Sequence, residues 1–112
     1  MKKRIYNITD QEFATTRKNL TNGVYGLSLI PNELSKTRVT LTKVKPNGVF
    51  STHIDTYHHV FYFIKGHGIG YLEDEEYTIE PGRIVEIPAG TPHGYRNTSK
   101  ENMLLITMNI PA

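Results

Sequence analysis

Short runs of apolar and β-branched residues alternate with Gly- and Pro-containing turns along most of the chain after residue 22. Runs of about four to eight such residues between turns are typical of β-strands. Their regular spacing, with no helical periodicity between them, predicts an antiparallel all-β sandwich or barrel. The acidic turn Asp74-Glu75-Glu76 predicts a hairpin. The expected strands are Val24–Ile30, Thr37–Lys45, Val60–Lys65, Ile69–Glu73, Tyr77–Glu80, Arg83–Ile87, Tyr95–Asn97 and Met103–Ile110.

The segment before these strands has a different pattern. Thr9 is followed three residues later by Glu12, as in a capping box, and Asn22-Gly23 is a stop signal. We therefore expect a short helix within Asp10–Asn19. The chain is divided accordingly into an N-terminal extension over residues 1–37, which packs on the barrel or forms a dimer, and a barrel over residues 38–112.

Alternation within two strands predicts which side chains face inward. In the strand that begins near His59, both faces are apolar, so both must be covered. The cover is expected from the residues before Arg38 or from a second chain, and a homodimer is the preferred arrangement. In the last strand we expect the apolar face of Leu104, Ile106, Met108 and Ile110 to be core. In the strand that begins near His59, one face consists of His59, Phe61 and Phe63. The opposite face consists of Val60, Tyr62 and Ile64.

Composition excludes several classes of function. The chain of 112 residues has room for one domain and contains no cysteine, which excludes disulfides, cysteine nucleophiles and thiolate-bound metals. The net charge of +2 does not suggest nucleic-acid binding, and the basic residues near the start are scattered, which indicates a solvated surface. No apolar run is long enough to span a membrane, so a cytoplasmic protein is expected.

All five histidines lie between residues 53 and 93. His53 and Asp55 are two apart and share a face in a strand, and a closed barrel can bring His59 and His93 to the same point. Three imidazoles and a carboxylate suit one divalent transition metal, which could be Zn, Ni, Fe, Mn or Cu. The alternative is that these are partly exposed polar residues at strand ends. His67, between two glycines, is expected at the surface.

Two motifs resemble those of the cupin superfamily. The second cupin motif, G-x5-P-x-G-x2-H-x3-N, is matched by Gly82, Pro88, Gly90, His93 and Asn97 with every spacing kept. The first motif is matched by Gly48, His53, Asp55, His59 and Gly66, with Asp55 where a second His is usual and His59 where a Glu is usual. The spacing to Gly66 favours His59 over His58.

The resemblance implies a jelly-roll β-barrel that holds a metal or a small molecule in its lumen. It places His53, Asp55, His59 and His93 at the four ligand positions. Asp55 could instead orient a histidine or cap a turn, because its side chain is short.

The residues that share the inward faces suggest the rest of the site. Phe61, Phe63 and Tyr95 are candidates for substrate contact, although core filling is the alternative for the two phenylalanines. We expect a metal-dependent enzyme acting on a small polar molecule, as a dioxygenase, isomerase, decarboxylase or lyase. The alternatives are a non-catalytic module that binds a carboxylate or sugar, and a cupin that has lost its metal.

Overall fold

A computed structural model describes all residues, Met1–Ala112, and the prediction of an all-β fold is confirmed. Every strand pairing is antiparallel, and the predicted hairpin across the acidic turn is present. No helix is long and apolar enough to cross a membrane. The nine strands are β1 (Ala14–Thr15), β2 (Thr21–Ser28), β3 (Arg38–His53), β4 (His58–Lys65), β5 (Gly68–Leu72), β6 (Glu75–Ile79), β7 (Ile84–Ile87), β8 (His93–Asn97) and β9 (Met103–Ile110).

The long strand β3 curls the sheet into a barrel. The sheet order is β6-β5-β8-β3-β9-β4-β7, with β2 also pairing with β3 and β1 with β2. The first part of β3 pairs with β9 and the last part pairs with β8, so one strand connects two sides of the barrel. The predicted turn at Pro46-Asn47-Gly48 is a bend inside this strand, where Asn47 has φ +64°.

The predicted helix within Asp10–Asn19 is wrong. The only helical residues are the 3₁₀ turn Ile8–Asp10, in which the side chain of Asn7 accepts a hydrogen bond from the Thr9 amide at 3.1 Å. No residue of that turn is buried, so it has no apolar face that tertiary packing could stabilise as a longer helix. The chain instead forms β1, which pairs with β2, and β2 joins β3. The boundary between residues 37 and 38 stays a prediction.

The core consists of side chains that point into the barrel from all its sides. Phe63 is fully buried, and the edge of its ring faces the ring of Tyr95 with the centroids 6.3 Å apart. Glycine at position 70 leaves room for the ring of Tyr77, because an added Cβ would lie 2.0 Å from that ring and displace it. The core cluster is Val24, Val44, Phe61, Phe63, Ile79, Val85, Ile87, Tyr95, Met103 and Leu105.

The prediction for the inward face of β9 is wrong. The buried apolar residues are Met103 and Leu105, and the next two residues on that face are Thr107 and Asn109, which line the barrel cavity. The four residues predicted as core are therefore half-buried on the outer face. On β4 the predicted alternation holds, since His59, Phe61 and Phe63 are buried.

The outer face of β4 is not covered by the residues before Arg38. Tyr62 is 43% exposed and Ile64 is 41% exposed. β2, which comes from that N-terminal segment, extends the sheet at the edge of β3 and does not cross β4. Of the two covers expected for this face, only a second chain remains as a prediction.

Candidate metal centre

Four side chains from three places in the chain converge at one end of the barrel. His53 lies at the end of β3 directly opposite His93 on β8, because these two residues are partners in the strand register. His59 points inward from the start of β4, and Asp55 lies in the loop between β3 and β4. One nitrogen or oxygen atom from each of the four lies within 4.8 Å of the corresponding atom of every other.

The turn before β8 fixes His93 relative to Asp55. Gly90 has φ +84°, a conformation that glycine adopts readily, and its amide donates to the carbonyl of Asp55 at 2.8 Å. Pro88 and Pro92 flank this turn and restrict its backbone. Gly90 and Pro88 of the second motif, together with Pro92, therefore hold two of the candidate ligands in place.

Hydrogen bonds fix the tautomers of the three imidazoles. The Nδ1 atom of His53 lies 2.7 Å from the carbonyl oxygen of Ser51, and that of His93 lies 2.8 Å from the carbonyl oxygen of Thr91. The Nδ1 atom of His59 lies 2.8 Å from Oδ1 of Asn109. Each of these oxygens accepts, so each Nδ1 carries a proton and donates, and in a neutral imidazole the Nε2 lone pair then faces the centre.

With all three imidazoles neutral, the centre contains only acceptors. Oδ2 of Asp55 lies 3.0 Å from Nε2 of His53, 2.8 Å from Nε2 of His59 and 3.6 Å from Nε2 of His93. Lone pairs that face one another in a buried site are unfavourable unless a metal ion or a proton lies between them. Three imidazole nitrogens and one carboxylate oxygen form a donor set that fits a divalent transition ion.

Asp55 divides its two oxygens between the centre and Arg17. Oδ1 accepts a hydrogen bond of 2.6 Å from Nη1 of Arg17, and Oδ2 faces the three histidines. Burial alone raises the pKa of the Asp55 carboxyl, but the Arg17 guanidinium and the other groups around it hold that pKa below its ordinary value of 3.8. The Asp55 carboxyl is therefore deprotonated, which is the form that can bind a metal ion.

Burial also keeps His93 in the form that binds metals. Its side chain is 3% exposed, and burial lowers its pKa below the ordinary 6.5 more than the hydrogen bond to Thr91 raises it. A neutral imidazole binds a cation without first losing a proton.

Comparison with known proteins agrees with this geometry. A family model described as "Cupin domain" matches residues 40–109, which is more than half of the chain. The chain belongs to the cupin family. No curated protein matches it.

Solved structures share the cupin fold at low sequence identity. The polyketide cyclase RemF from Streptomyces resistomycificus is 23% identical over 100% of this chain and 81% of that chain, with a TM-score of 0.86. A predicted oxalate decarboxylase from Thermotoga maritima is 17% identical over 97% of this chain and 100% of that chain, with a TM-score of 0.83. A cupin-2 domain from Rhodospirillum rubrum is 16% identical over 100% of this chain and 76% of that chain, with a TM-score of 0.79. At these identities the likeness shows the fold alone.

The remaining two histidines of this cupin lie outside the cluster. His58 points away from His59, and its Nδ1 accepts a hydrogen bond of 2.8 Å from the amide of Ala89. His67 is exposed between β4 and β5. The spacing that favours His59 over His58 therefore agrees with the geometry.

The cluster opens into a cavity of about 70 Å³ inside the barrel. Phe61 and Tyr95 line this cavity, whereas Phe63 lies in the core behind it. Part of the cavity wall is polar, and its Thr42 and Thr107 hydroxyls lie 3.0 Å apart. The other lining residues are Thr16, Arg17, Thr40, Phe50, His53, Tyr57, His59, His93, Gly94 and Asn109.

Sequence reasoning missed Arg17 and Asn109. Arg17 belongs to the scattered basic residues that were expected to be a solvated surface, and no local pattern shows that it reaches a loop 38 residues away. The sequence does contain an indication that Asn109 faces the lumen, because Thr107 and Asn109 are polar residues two apart in an otherwise apolar strand. Polar residues on one strand face near a predicted lumen can indicate a site.

Proposed function

We propose that this cupin is a metal-dependent enzyme that acts on a small polar molecule inside the barrel. The observation that carries the proposal is the orientation of His53, His59 and His93. Their Nδ1 atoms all face oxygen acceptors, and their Nε2 atoms all face one carboxylate oxygen of Asp55. Three neutral imidazole nitrogens and a carboxylate directed at one point are suited to a cation.

In this proposal the three histidines hold one divalent transition ion and Asp55 is the fourth ligand through Oδ2. Arg17 keeps Oδ1 engaged, which leaves Oδ2 directed at the centre. Imidazole and carboxylate ligands suit Zn, Ni, Fe, Mn or Cu, and ligand type alone does not select among them. Such an ion supplies Lewis-acid or redox chemistry to a substrate that reaches it.

The cavity beside the cluster supports a small substrate. The threonine hydroxyls that line the cavity can hydrogen-bond a polar molecule, while Phe61 and Tyr95 contact the apolar part of that molecule. Phe63 is not retained as a contact, because it packs against Phe61 and Tyr95 in the core and does not line the cavity. Two proteins with this fold carry descriptions as a cyclase and as a predicted decarboxylase, which supports an enzyme without specifying its reaction.

Metal analysis of protein purified without an affinity tag tests the metal site. We expect about one divalent ion per chain, lost in His59→Ala and His93→Ala. His58→Ala is the matched control, since His58 is adjacent in sequence but points away, and it should keep the metal. Asp55→Ala should weaken binding by roughly 10–100-fold if it orients a histidine, and by more if it is a ligand.

The outcomes of this experiment separate the alternatives. Protein that binds no divalent ion in titrations with Zn, Ni, Fe, Mn and Cu would contradict the proposal and favour a cupin that has lost its metal. Protein that binds metal and a small ligand but converts none would favour the non-catalytic binding module. Loss of metal in His58→Ala with retention in His59→Ala would contradict the assigned ligand set.

We also propose that a second copy of the chain covers the outer face of β4. Tyr62 is the register partner of Ile84 on β7 and of Ile106 on β9, so these side chains form an apolar row across three strands. Ile84 is 62% exposed. Continuous exposed apolar surface of this kind usually marks a protein contact, and a two-fold dimer lets one apolar patch cover itself.

A further inference from the structure

Arg17 is the one Lys or Arg side chain that lines the cavity. Besides the histidines of the cluster, the other lining residues are threonines, aromatic residues, one glycine and one asparagine. The threonines, aromatic residues, glycine and asparagine are uncharged. Arg17 is therefore the permanently charged cation that contacts a molecule in the cavity.

The contacts of Arg17 leave much of its guanidinium free. Nη1 donates to Oδ1 of Asp55 at 2.6 Å and reaches the hydroxyl of Tyr57 at 3.5 Å. These contacts use Nη1 alone, and the side chain is 41% exposed. A guanidinium presents five N–H donors in a planar fork and binds a carboxylate through two of them at once. The remaining donors of Arg17 are available for that geometry.

The backbone around Arg17 is shaped to hold it over the site. Arg17 has φ +39°, a left-handed conformation that is uncommon for residues other than glycine. Its carbonyl accepts a hydrogen bond of 2.8 Å from the amide of Leu20, and the Thr21 hydroxyl binds the carbonyl of Thr16. Strained positions of this kind are concentrated at functional sites, where the surrounding structure maintains them.

Charge favours an anion at this position. A divalent ion, the Asp55 carboxylate and the Arg17 guanidinium together leave the centre net positive, and no acidic residue lines the cavity beside it. A buried net positive charge attracts an anionic ligand more strongly than the same charge in water does.

We infer that the substrate of this cupin is a small carboxylate and that Arg17 is the specificity-determining residue that binds its carboxylate group. The inference rests on the proposed function, since it names the substrate class for the same cavity. The threonine wall formed by Thr40, Thr42 and Thr107 is placed to hydrogen-bond a hydroxyl or oxo group of that carboxylate.

Binding of glycolate compared with glycolamide tests the inference. The two molecules have the same number of heavy atoms and differ in the charge that Arg17 is inferred to recognise. Each is titrated into zinc-loaded protein and into chelator-treated protein, and binding is followed by chemical-shift changes in NMR spectra. A charge-assisted hydrogen bond is stronger than a neutral one, so we expect glycolate to bind at least about tenfold more tightly than glycolamide.

Variants of Arg17 distinguish recognition from a structural role. Arg17→Gln should abolish the preference for glycolate over glycolamide, and Arg17→Lys should restore part of it. Lys18→Gln, a change in the neighbouring exposed cation outside the cavity, should leave the preference unchanged. If Arg17 only positions Asp55, then Arg17→Gln weakens metal binding while the preference for the anion persists, and that result overturns the inference.

Two further outcomes also decide the question. Equal binding of glycolate and glycolamide by the wild type, or no measurable binding of glycolate, overturns the inference even if the metal is present. A protein that binds no metal but retains Arg17-dependent binding of glycolate contradicts the proposed metal enzyme and supports the inference. The metal content of every sample is measured alongside, so the two failures are distinguishable.

Discussion

Nδ1 of His59 lies 2.8 Å from Oδ1 of Asn109, and this contact joins β4 to β9 at the candidate metal centre. The two residues are register partners, so the hydrogen bond follows directly from the strand pairing. It fixes the His59 ring with its Nε2 toward Asp55, because an oxygen acceptor at Nδ1 requires the proton there. Asn109 therefore determines what His59 presents to a metal.

We expect Asn109→Ala to weaken metal binding by roughly 10–100-fold, as is typical when the partner that orients a metal-binding histidine is lost. Titration of the metal-free protein with Zn²⁺ against a competing chelator measures the change. Asn22→Ala, at an exposed position on β2, serves as the control and should not alter affinity. Unchanged affinity in Asn109→Ala would show that the strand alone holds the His59 ring.

Most of the strands and the four clustered residues could be predicted from the sequence, because turn residues and motif spacing are local signals. The exception is β1, which lies within the segment predicted as a helix. Turn residues mark where strands end, and in β4 the alternation from His59 to Phe61 and Phe63 indicates which face points inward. In β9 the same reasoning selected the wrong face. Leu104, Ile106, Met108 and Ile110 form the uniformly apolar face, and apolar faces ordinarily point to the core.

The reversal in β9 has a physical cause. The barrel interior near His59 is a polar cavity, so the face that includes Thr107 and Asn109 points inward. The position of Arg17 at the site could not be predicted from the sequence for a different reason. Its approach to Asp55 depends on the pairing of β2 with β3 and on an uncommon backbone angle, and neither has a signature in the neighbouring residues.

Asn97 is expected to be a structural residue of the second motif. It is 1% exposed, and its Nδ2 donates to the carbonyls of Val44 at 3.0 Å and Glu101 at 2.8 Å. Asn97→Ala leaves these carbonyls without that donor, so we expect the free energy of unfolding to fall by about 2–3 kcal/mol. Urea unfolding monitored by circular dichroism measures this change. Asn102→Ala, an exposed change in the same region, should stay within about 0.5 kcal/mol of the wild type.

Tyr77 should make the fold sensitive to alkaline pH. Burial raises the pKa of its phenol above the ordinary value of 10.0. Because the folded pKa is higher than the unfolded one, stability is fully present below pH 10 and is lost as pH rises above it, where only the unfolded chain ionises. At pH 11 the loss from one such tyrosine is about 1.4 kcal/mol.

Urea unfolding at pH 8 and pH 11 tests this expectation. Burial raises the pKa of Tyr95 in the same direction, so the wild type should lose the contribution of both residues. Tyr77→Phe should lose about 1.4 kcal/mol less than the wild type between the two pH values. An equal loss in the two proteins would contradict the assignment of a raised pKa to Tyr77.

The apolar row on the outer face should determine the oligomeric state. Tyr62 and Ile84 are register partners on β4 and β7, with exposed fractions of 43% and 62%. If a second copy covers them, a lysine there places a charge in an apolar contact, where desolvation is costly. We therefore expect the wild type to be a dimer by light scattering and Ile84→Lys to be a monomer with an unchanged circular dichroism spectrum. Ile54 is similarly exposed, at 59%, but lies in the loop between β3 and β4. Ile54→Lys should consequently remain a dimer, and a wild type that is monomeric at every working concentration would rule out the second copy as the cover of this face.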